Sequence, residues 1–276
     1  MGKINLQMYS FMDGTLNDNI ENFKTAARLG YDGVELFGPN FQIPAGEMKK
    51  LLAELVLEAV SLHAPSTDKV IDMIPYATEV GMEYIGIGMQ PMMDASEVHL
   101  FAKKLNDLGE ECRKHGLTLT YHNHTQEFLP CGSKTVFEVL MEETDPEFVS
   151  FELDCGWVAA AGANPFEILE RYSGRIPLIH VKESAAVIWP QPPMDWSSFE
   201  KDENGAPIPS EEAKLSMEKM KAVNCGACEG LIDWERLKAV ADANGAKHYI
   251  VEREGNTEAS RIDTLAEDIR RYRQVI

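Results

Sequence analysis

Basic residues are scarce in this 276-residue chain: 26 Lys and Arg stand against 45 Asp and Glu, a formal net charge of −19 at pH 7 with histidines neutral. That surplus repels phosphate backbones and anionic lipid surfaces and supplies none of the counterion release that drives nucleic-acid binding, so neither nucleic acid nor membrane is an expected partner. Cysteine is also rare. Cys112, Cys131, Cys155, Cys225 and Cys228 are too few and odd in number for a disulfide framework at this length, and read as reduced thiols. No apolar run approaches the roughly 18 residues of a membrane span. The start, Met1-Gly2-Lys3-Ile4-Asn5, lacks the apolar core of a secretory signal, which sets the expectation of a cytoplasmic protein. A nucleotide-type phosphate cradle is missing too, since Gly86 and Gly88 fall inside a strand rather than between a strand and a helix.

Short runs of branched and aromatic residues alternate with longer stretches of helical period. Eight strands are expected near 4–9, 33–37, 59–64, 83–88, 117–123, 148–154, 176–182 and 247–252. Helices are expected near 17–29, 44–57, 69–80, 95–115, 134–143, 165–173, 231–244 and 257–273, several closed by Gly30, Gly81, Gly116 or Gly245. Eight strand–helix units in a chain of this length make a closed (β/α)8 barrel the economical topology: an α/β fold, one domain over 1–276. The rhythm breaks at about 184–230, a Pro-rich and charged stretch holding Cys225-Gly226-Ala227-Cys228, which reads as an insertion after strand seven. With no second Cys pair, Cys225 and Cys228 read as incidental loop residues.

Successive strand residues face opposite sides, so one parity packs against the helices and the other points into the barrel. The expected outer set is apolar: Ile4, Leu6 and Met8, Val34 and Leu36, Val60 and Leu62, Ile85 and Ile87, Phe151 and Leu153, Ile179 and Val181, Tyr249 and Val251. The expected inner set is polar: Asn5, Gln7, Glu35, Ser61, His63, Thr118, Thr120, His122, His124, Glu152, Asp154, His180, Lys182, His248 and Glu252. Burying such groups without partners costs several kcal/mol, so this interior calls for an ion, a ligand or a dense hydrogen-bond network. The ionisable residues sit late in their strands, at the carboxyl end where barrel active sites lie. His122, Asp154, His180 and Glu252 come from four strands and can converge on one divalent ion, with nitrogen and oxygen donors suited to Mn²⁺, Co²⁺, Fe²⁺ or Zn²⁺.

At these residues the chain resembles the sugar phosphate isomerase/epimerase family of xylose-isomerase-like barrels, which includes D-tagatose 3-epimerase and the 2-keto-myo-inositol dehydratases. The resemblance is carried by Tyr31-Asp32-Gly33-Val34-Glu35-Leu36, Leu62-His63-Ala64-Pro65, Tyr121-His122-Asn123-His124 with Glu127-Phe128, Glu152-Leu153-Asp154, Ile179-His180-Val181-Lys182 and Ile250-Val251-Glu252. It implies a TIM barrel with a divalent metal held by residues ending strands five to eight. Asp154, His180 and Glu252 match by type. His122 stands where the epimerases carry a metal-binding Glu that doubles as a base. Glu127, five residues on, is a candidate to supply that oxygen as ligand or base. Trp157 replaces a substrate-binding His of some epimerases and offers a stacking face for a sugar ring.

The chemistry implied is proton abstraction next to the carbonyl of a keto- or aldo-sugar, with Glu252 or Glu127 as base and Lys182 as proton or hydrogen-bond donor. Isomerisation and epimerisation follow from where the proton returns. Isomerase or epimerase chemistry is the first expectation. Loss of a β-substituent, giving dehydratase or 3-keto-glycoside lyase chemistry, is the alternative, and the missing strand-five carboxylate leans slightly toward elimination or toward a base other than the usual pair. His63, His124 and Glu35 are candidate substrate contacts, whereas Glu152 and His248 lie deeper and read as structural. Two rivals remain at this stage: an apurinic-endonuclease-like enzyme, opposed by the net charge, and a non-catalytic sugar-binding barrel, which metal content would separate. A homo-oligomer is compatible with the fold.

Overall fold

The computed structural model describes residues 2–12, 18–193, 199–201, 207–255 and 259–276. Its barrel strands are β1 (Ile4–Gln7), β2 (Gly33–Leu36), β3 (Glu58–Leu62), β4 (Tyr84–Ile87), β5 (Thr118–His122), β6 (Val149–Asp154), β7 (Leu178–Val181) and β8 (His248–Val251). They form one parallel sheet in the order β3-β2-β1-β8-β7-β6-β5-β4. A parallel bridge between His63 and Gly86 joins its two ends, with Ala64 N donating to Gly86 O at 2.8 Å. The chain is therefore a (β/α)8 TIM barrel, as the strand count predicts.

The outer helices are α1 (Asn19–Leu29), α2 (Ala45–Leu55), α3 (Val70–Val80), α4 (Ala95–Lys114), α5 (Val136–Glu143), α6 (Cys155–Ala160), α7 (Pro165–Arg171), α8 (Glu211–Ala222), α9 (Trp234–Ala243) and α10 (Arg261–Val275). Local signals set their ends. Asp18 Oδ1 accepts from the backbone of Ile20 and Glu21 to start α1, and Gly30 takes φ +92° to stop it, a left-handed conformation that costs a glycine little. The outward strand residues and the inner helix faces fill one continuous apolar layer, including Leu6, Val34, Leu36, Leu62, Ile85, Leu119, Phe151, Ile179 and Val251.

Val60 departs from the expected parity. The β2–β3 register slips between Val34 and Glu35, which pair with Ala59 and Ser61, so Val60 is the extra residue of a bulge. It packs with Tyr84, Leu178 and Ile250 in a separate small cluster. Residues from β3, β4, β7 and β8 can meet only inside the barrel, so the interior has an apolar floor beneath its polar upper layers.

Two helices have no counterpart in the expected pattern. Helix α6 starts directly on Asp154, and α8 lies within the stretch read as an insertion, beside a two-residue antiparallel ladder pairing Glu200 with Ile208 and Lys201 with Pro207. Residues 194–198 and 202–206 of that stretch, and 257 and 258 of the expected last helix, lie outside the described residues. No helix among the described residues is long and apolar enough to cross a membrane.

Candidate metal centre

Four side chains converge at the carboxyl ends of β5, β6, β7 and β8. One donor atom each from His122, Asp154, His180 and Glu252 lies within 4.8 Å of the others, and all four residues are buried. His122 Nε2 stands 3.5 Å from Asp154 Oδ2, and His180 Nδ1 stands 3.8 Å from Asp154 Oδ2 and 3.7 Å from Glu252 Oε2. Three of these donors, His122 Nε2, Asp154 Oδ2 and His180 Nδ1, have no hydrogen-bond partner among the described residues. A buried polar atom without a partner costs about 1–3 kcal/mol, and a cation between these three would satisfy all of them at once.

The surroundings prepare each donor. His122 Nδ1 lies 3.1 Å from Gly88 O and His180 Nε2 lies 2.9 Å from Glu35 Oε1. A ring N–H donated outward leaves the other nitrogen's lone pair facing inward, the arrangement metal-binding imidazoles use. Asp154 divides its carboxylate: Oδ1 accepts from Trp157 N at 2.8 Å, capping α6, and Oδ2 is left free. Asn123 clamps the Asp154 backbone, accepting from its N–H at 3.0 Å and donating to its carbonyl at 3.3 Å. Two imidazoles and two carboxylates fit a divalent ion of the Zn²⁺, Fe²⁺, Co²⁺ or Mn²⁺ kind.

Burial and neighbours set the charges. Burial drops the His122 and His124 imidazoles to about 3, so both are neutral. Burial raises Asp154 to about 6 against the pull of Lys182 and His180. It acts the same way on Glu252, but there Lys182 and His180 outweigh it and hold the carboxyl well below its ordinary range. Burial disfavours the Lys182 ammonium, yet Glu252, Glu254 and Asp154 together raise it above its usual value. Lys182 Nζ lies 3.1 Å from Glu252 Oε2 and 2.9 Å from Glu254 Oε2.

A second layer lies beneath. Glu35, His63, Glu152 and His180 also gather within 4.8 Å, but through mutual bonds: His63 Nε2 is 2.6 Å from Glu152 Oε2, and Gln7 Nε2 donates to Glu35 Oε1 at 2.6 Å. The two glycines of β4 and its following loop make room for this layer. A Cβ on Gly86 would come within 2.9 Å of His63 Cδ2, and one on Gly88 within 2.7 Å of His63 Nδ1.

Several expected roles move. Glu127 lies outside both groups: its Oε1 accepts from the Tyr121 hydroxyl at 2.7 Å and Gln126 Nε2 at 2.9 Å, its Oε2 from His124 N at 2.7 Å. Both of its oxygens thus accept from donors of β5 and the loop that follows it. Trp157 is buried, the Lys182 ammonium stands 4.7 Å from its ring centroid, and Ala160, Val223, Ile188 and Met220 pack around it, so its face holds a cation where a sugar was expected. Glu35 is fully buried in the lower layer. His63 bonds Glu152 in that layer and retains a sliver of exposure. His124, half-buried, sits with its ring 4.9 Å from His122 and its Nδ1 unpartnered, at the mouth where a substrate contact was expected. Glu254 and Asn123 were not foreseen. The signal for Glu254 was its spacing, two residues beyond Glu252 as Lys182 is beyond His180.

The family model for the xylose isomerase-like TIM barrel matches residues 23–275, and the chain belongs to that family. Inosose dehydratase 2 of Bacillus cereus is 34% identical over 96 residues, a match spanning 34% of this chain and 31% of that protein. A sugar phosphate isomerase/epimerase from Parabacteroides distasonis superposes with a TM-score of 0.73 at 21% identity, covering 97% of this chain and 92% of that one. The 3-keto-D-glucoside 4-epimerase from E. coli superposes with a TM-score of 0.69 at 13% identity, covering 99% and 100%. The curated match thus spans about a third of its relative's length, and the structural likenesses show the fold.

Proposed function

We propose that the protein is a divalent-metal-dependent enzyme that removes a proton next to the carbonyl of a keto-sugar and expels a β-hydroxyl or β-alkoxyl group, a dehydratase or lyase on this barrel. The observation that carries the reading is the Lys182–Glu252 pair beside three unpartnered metal-type donors. His122, Asp154, His180 and Glu252 would hold the ion. When bound, it supplies Lewis-acid polarisation of the carbonyl.

The chain's own residues do the rest. Glu252 is the candidate base: Lys182 and His180 keep its carboxyl ionised, and as a carboxylate it takes the α-proton as the C–H bond breaks. As the C=C bond forms, the β-C–O bond breaks and the departing oxygen takes a proton from the Lys182 ammonium, leaving as water or an alcohol. Glu252 then returns its proton to Lys182 across the 3.1 Å contact, which restores both groups. One carboxylate and one ammonium match this single-base, single-acid sequence. Epimerisation needs a second group on the opposite face of the carbon, and Glu127, the other candidate base, has both oxygens occupied by Tyr121, Gln126 and His124 N. The substrate is a small carbohydrate; the inosose dehydratase likeness supports a cyclic keto-polyol. The net charge and the absence of a spanning helix among the described residues support a reading without nucleic-acid or membrane partners.

The test is a panel of keto-sugars incubated in heavy water with Mn²⁺ or Co²⁺ and followed by mass spectrometry. Loss of water or alcohol from the substrate, abolished in Glu252→Gln, supports elimination. Deuterium incorporated without mass loss gives isomerase or epimerase chemistry. Neither change with any substrate, in a protein that binds the sugars, leaves a binding barrel.

A further inference from the structure

His180 turns its two ring nitrogens to opposite sides. Nδ1 faces Asp154 and Glu252 with no hydrogen-bond partner, and Nε2 lies 2.9 Å from Glu35 Oε1. Glu35 is fully buried on β2 and is itself held: Gln7 Nε2 donates to Oε1 at 2.6 Å and the Ser61 hydroxyl donates to Oε2. Glu152, the other carboxylate of this layer, binds His63 Nε2 at 2.6 Å. Its Oε1 comes within 3.2 Å of His180 Nε2 without making a hydrogen bond. By hydrogen bonds the layer resolves into two pairs, Glu35 with His180 and Glu152 with His63, whose imidazoles stack at 5.7 Å and 17°; His63 Nε2 also stands 3.3 Å from Glu35 Oε1 as a longer cross-contact.

We infer that Glu35 is a positioning residue, one layer below the candidate cation, that keeps the proton of His180 on Nε2 and so aims the Nδ1 lone pair at the ion. The inference rests on the metal reading above and deepens it. An imidazole that binds a cation carries a single proton, and only the Nε2–H form leaves Nδ1 able to bind it. An anionic acceptor fixed by Gln7 and Ser61 favours that form and locks the ring's rotation. Outer partners of this kind raise metal affinity by about 10–100-fold. The alternative use of the layer, a second ion held by Glu35, His63, Glu152 and His180, requires His180 to lose its Nε2 proton as well and to bridge two cations. It also displaces the donors already on Glu35 and Glu152.

The experiment titrates Co²⁺ into metal-free wild-type protein, Glu35→Gln and Glu35→Ala by calorimetry, with the melting temperature of each metal-free protein recorded alongside. Wild type is expected to take a single ion per chain. Glu35→Ala is expected to bind it about 10–100-fold more weakly, and Glu35→Gln, which retains an acceptor oxygen without the charge, to fall in between. A purely structural Glu35 would lower the metal-free melting temperature and leave the affinity alone. Affinities within about twofold of wild type in Glu35→Gln, or two ions per chain in wild type falling to one in the variants, overturn the assignment. Should Glu35→Ala not fold, Glu35→Gln decides. Wild-type protein that binds no ion overturns the metal reading itself, a result distinct from unchanged affinity.

Discussion

Lys182 and Glu252 form a buried ion pair, Nζ to Oε2 at 3.1 Å, at the edge of the candidate cation site to which Glu252 belongs. Glu254 takes a second bond from the same ammonium at 2.9 Å, and the Trp157 ring lies 4.7 Å from it. A cation so enclosed stays protonated, the state from which a proton can be given. Lys182→Met is expected to retain its metal and lose turnover by about 10²–10⁴-fold, the contribution of one general acid. Metal analysis beside steady-state rates checks this; undiminished turnover would remove Lys182 from the chemistry.

Glu127 separates a clamp from a base. In Glu127→Gln the new amide must face one of the buried donors now shared among Tyr121, Gln126 and His124 N, so a thermal melt should show about 1–3 kcal/mol of lost stability. Turnover per folded, metal-loaded molecule should fall far less than the about 10²–10⁴-fold of a lost base. A loss of that larger size with an unchanged melt would restore Glu127 to the catalytic set.

Gly88 has no room for a side chain, because a Cβ would stand 2.7 Å from His63 Nδ1. Gly88→Ala is expected to cost about 1–3 kcal/mol as His63 is pushed from Glu152. Denaturant unfolding measures the cost, and wild-type stability would show that His63 moves freely.

Just beyond Glu252, Arg253 Nε donates to Asp268 Oδ2 at 2.8 Å, and both residues are buried. Asp268→Ala leaves that guanidinium without its counter-charge, and chemical denaturation should register a loss of about 3–5 kcal/mol. The same variant should bind metal more weakly, since the end of β8 carries Glu252. A loss below about 1 kcal/mol would mean that solvent reaches the arginine.

The barrel was legible because period-two strands and helical periods alternate eight times, and because inward parity put His122, Asp154, His180 and Glu252 at strand ends. What the chain does not announce depends on register and on distant partners. Val60 turns inward through a slip against Val34 and Glu35, which only strand pairing reveals. Glu127 shares its spacing with a base but has its oxygens claimed by Tyr121, Gln126 and His124. Trp157 offers an open ring in the sequence and a covered one in the fold, since Lys182 reaches it from β7's end. Helix α6 was hidden because a strand residue, Asp154, doubles as its cap.

The most direct measurement is the divalent-metal content of the protein purified without chelator, set beside Asp154→Ala prepared identically. Elemental analysis should find about one Mn, Fe, Co or Zn per wild-type chain and little in the variant, in which a four-donor site has lost its free carboxylate oxygen. Equal metal in both proteins, or none in the wild type even after incubation with Mn²⁺ or Co²⁺, would contradict the account.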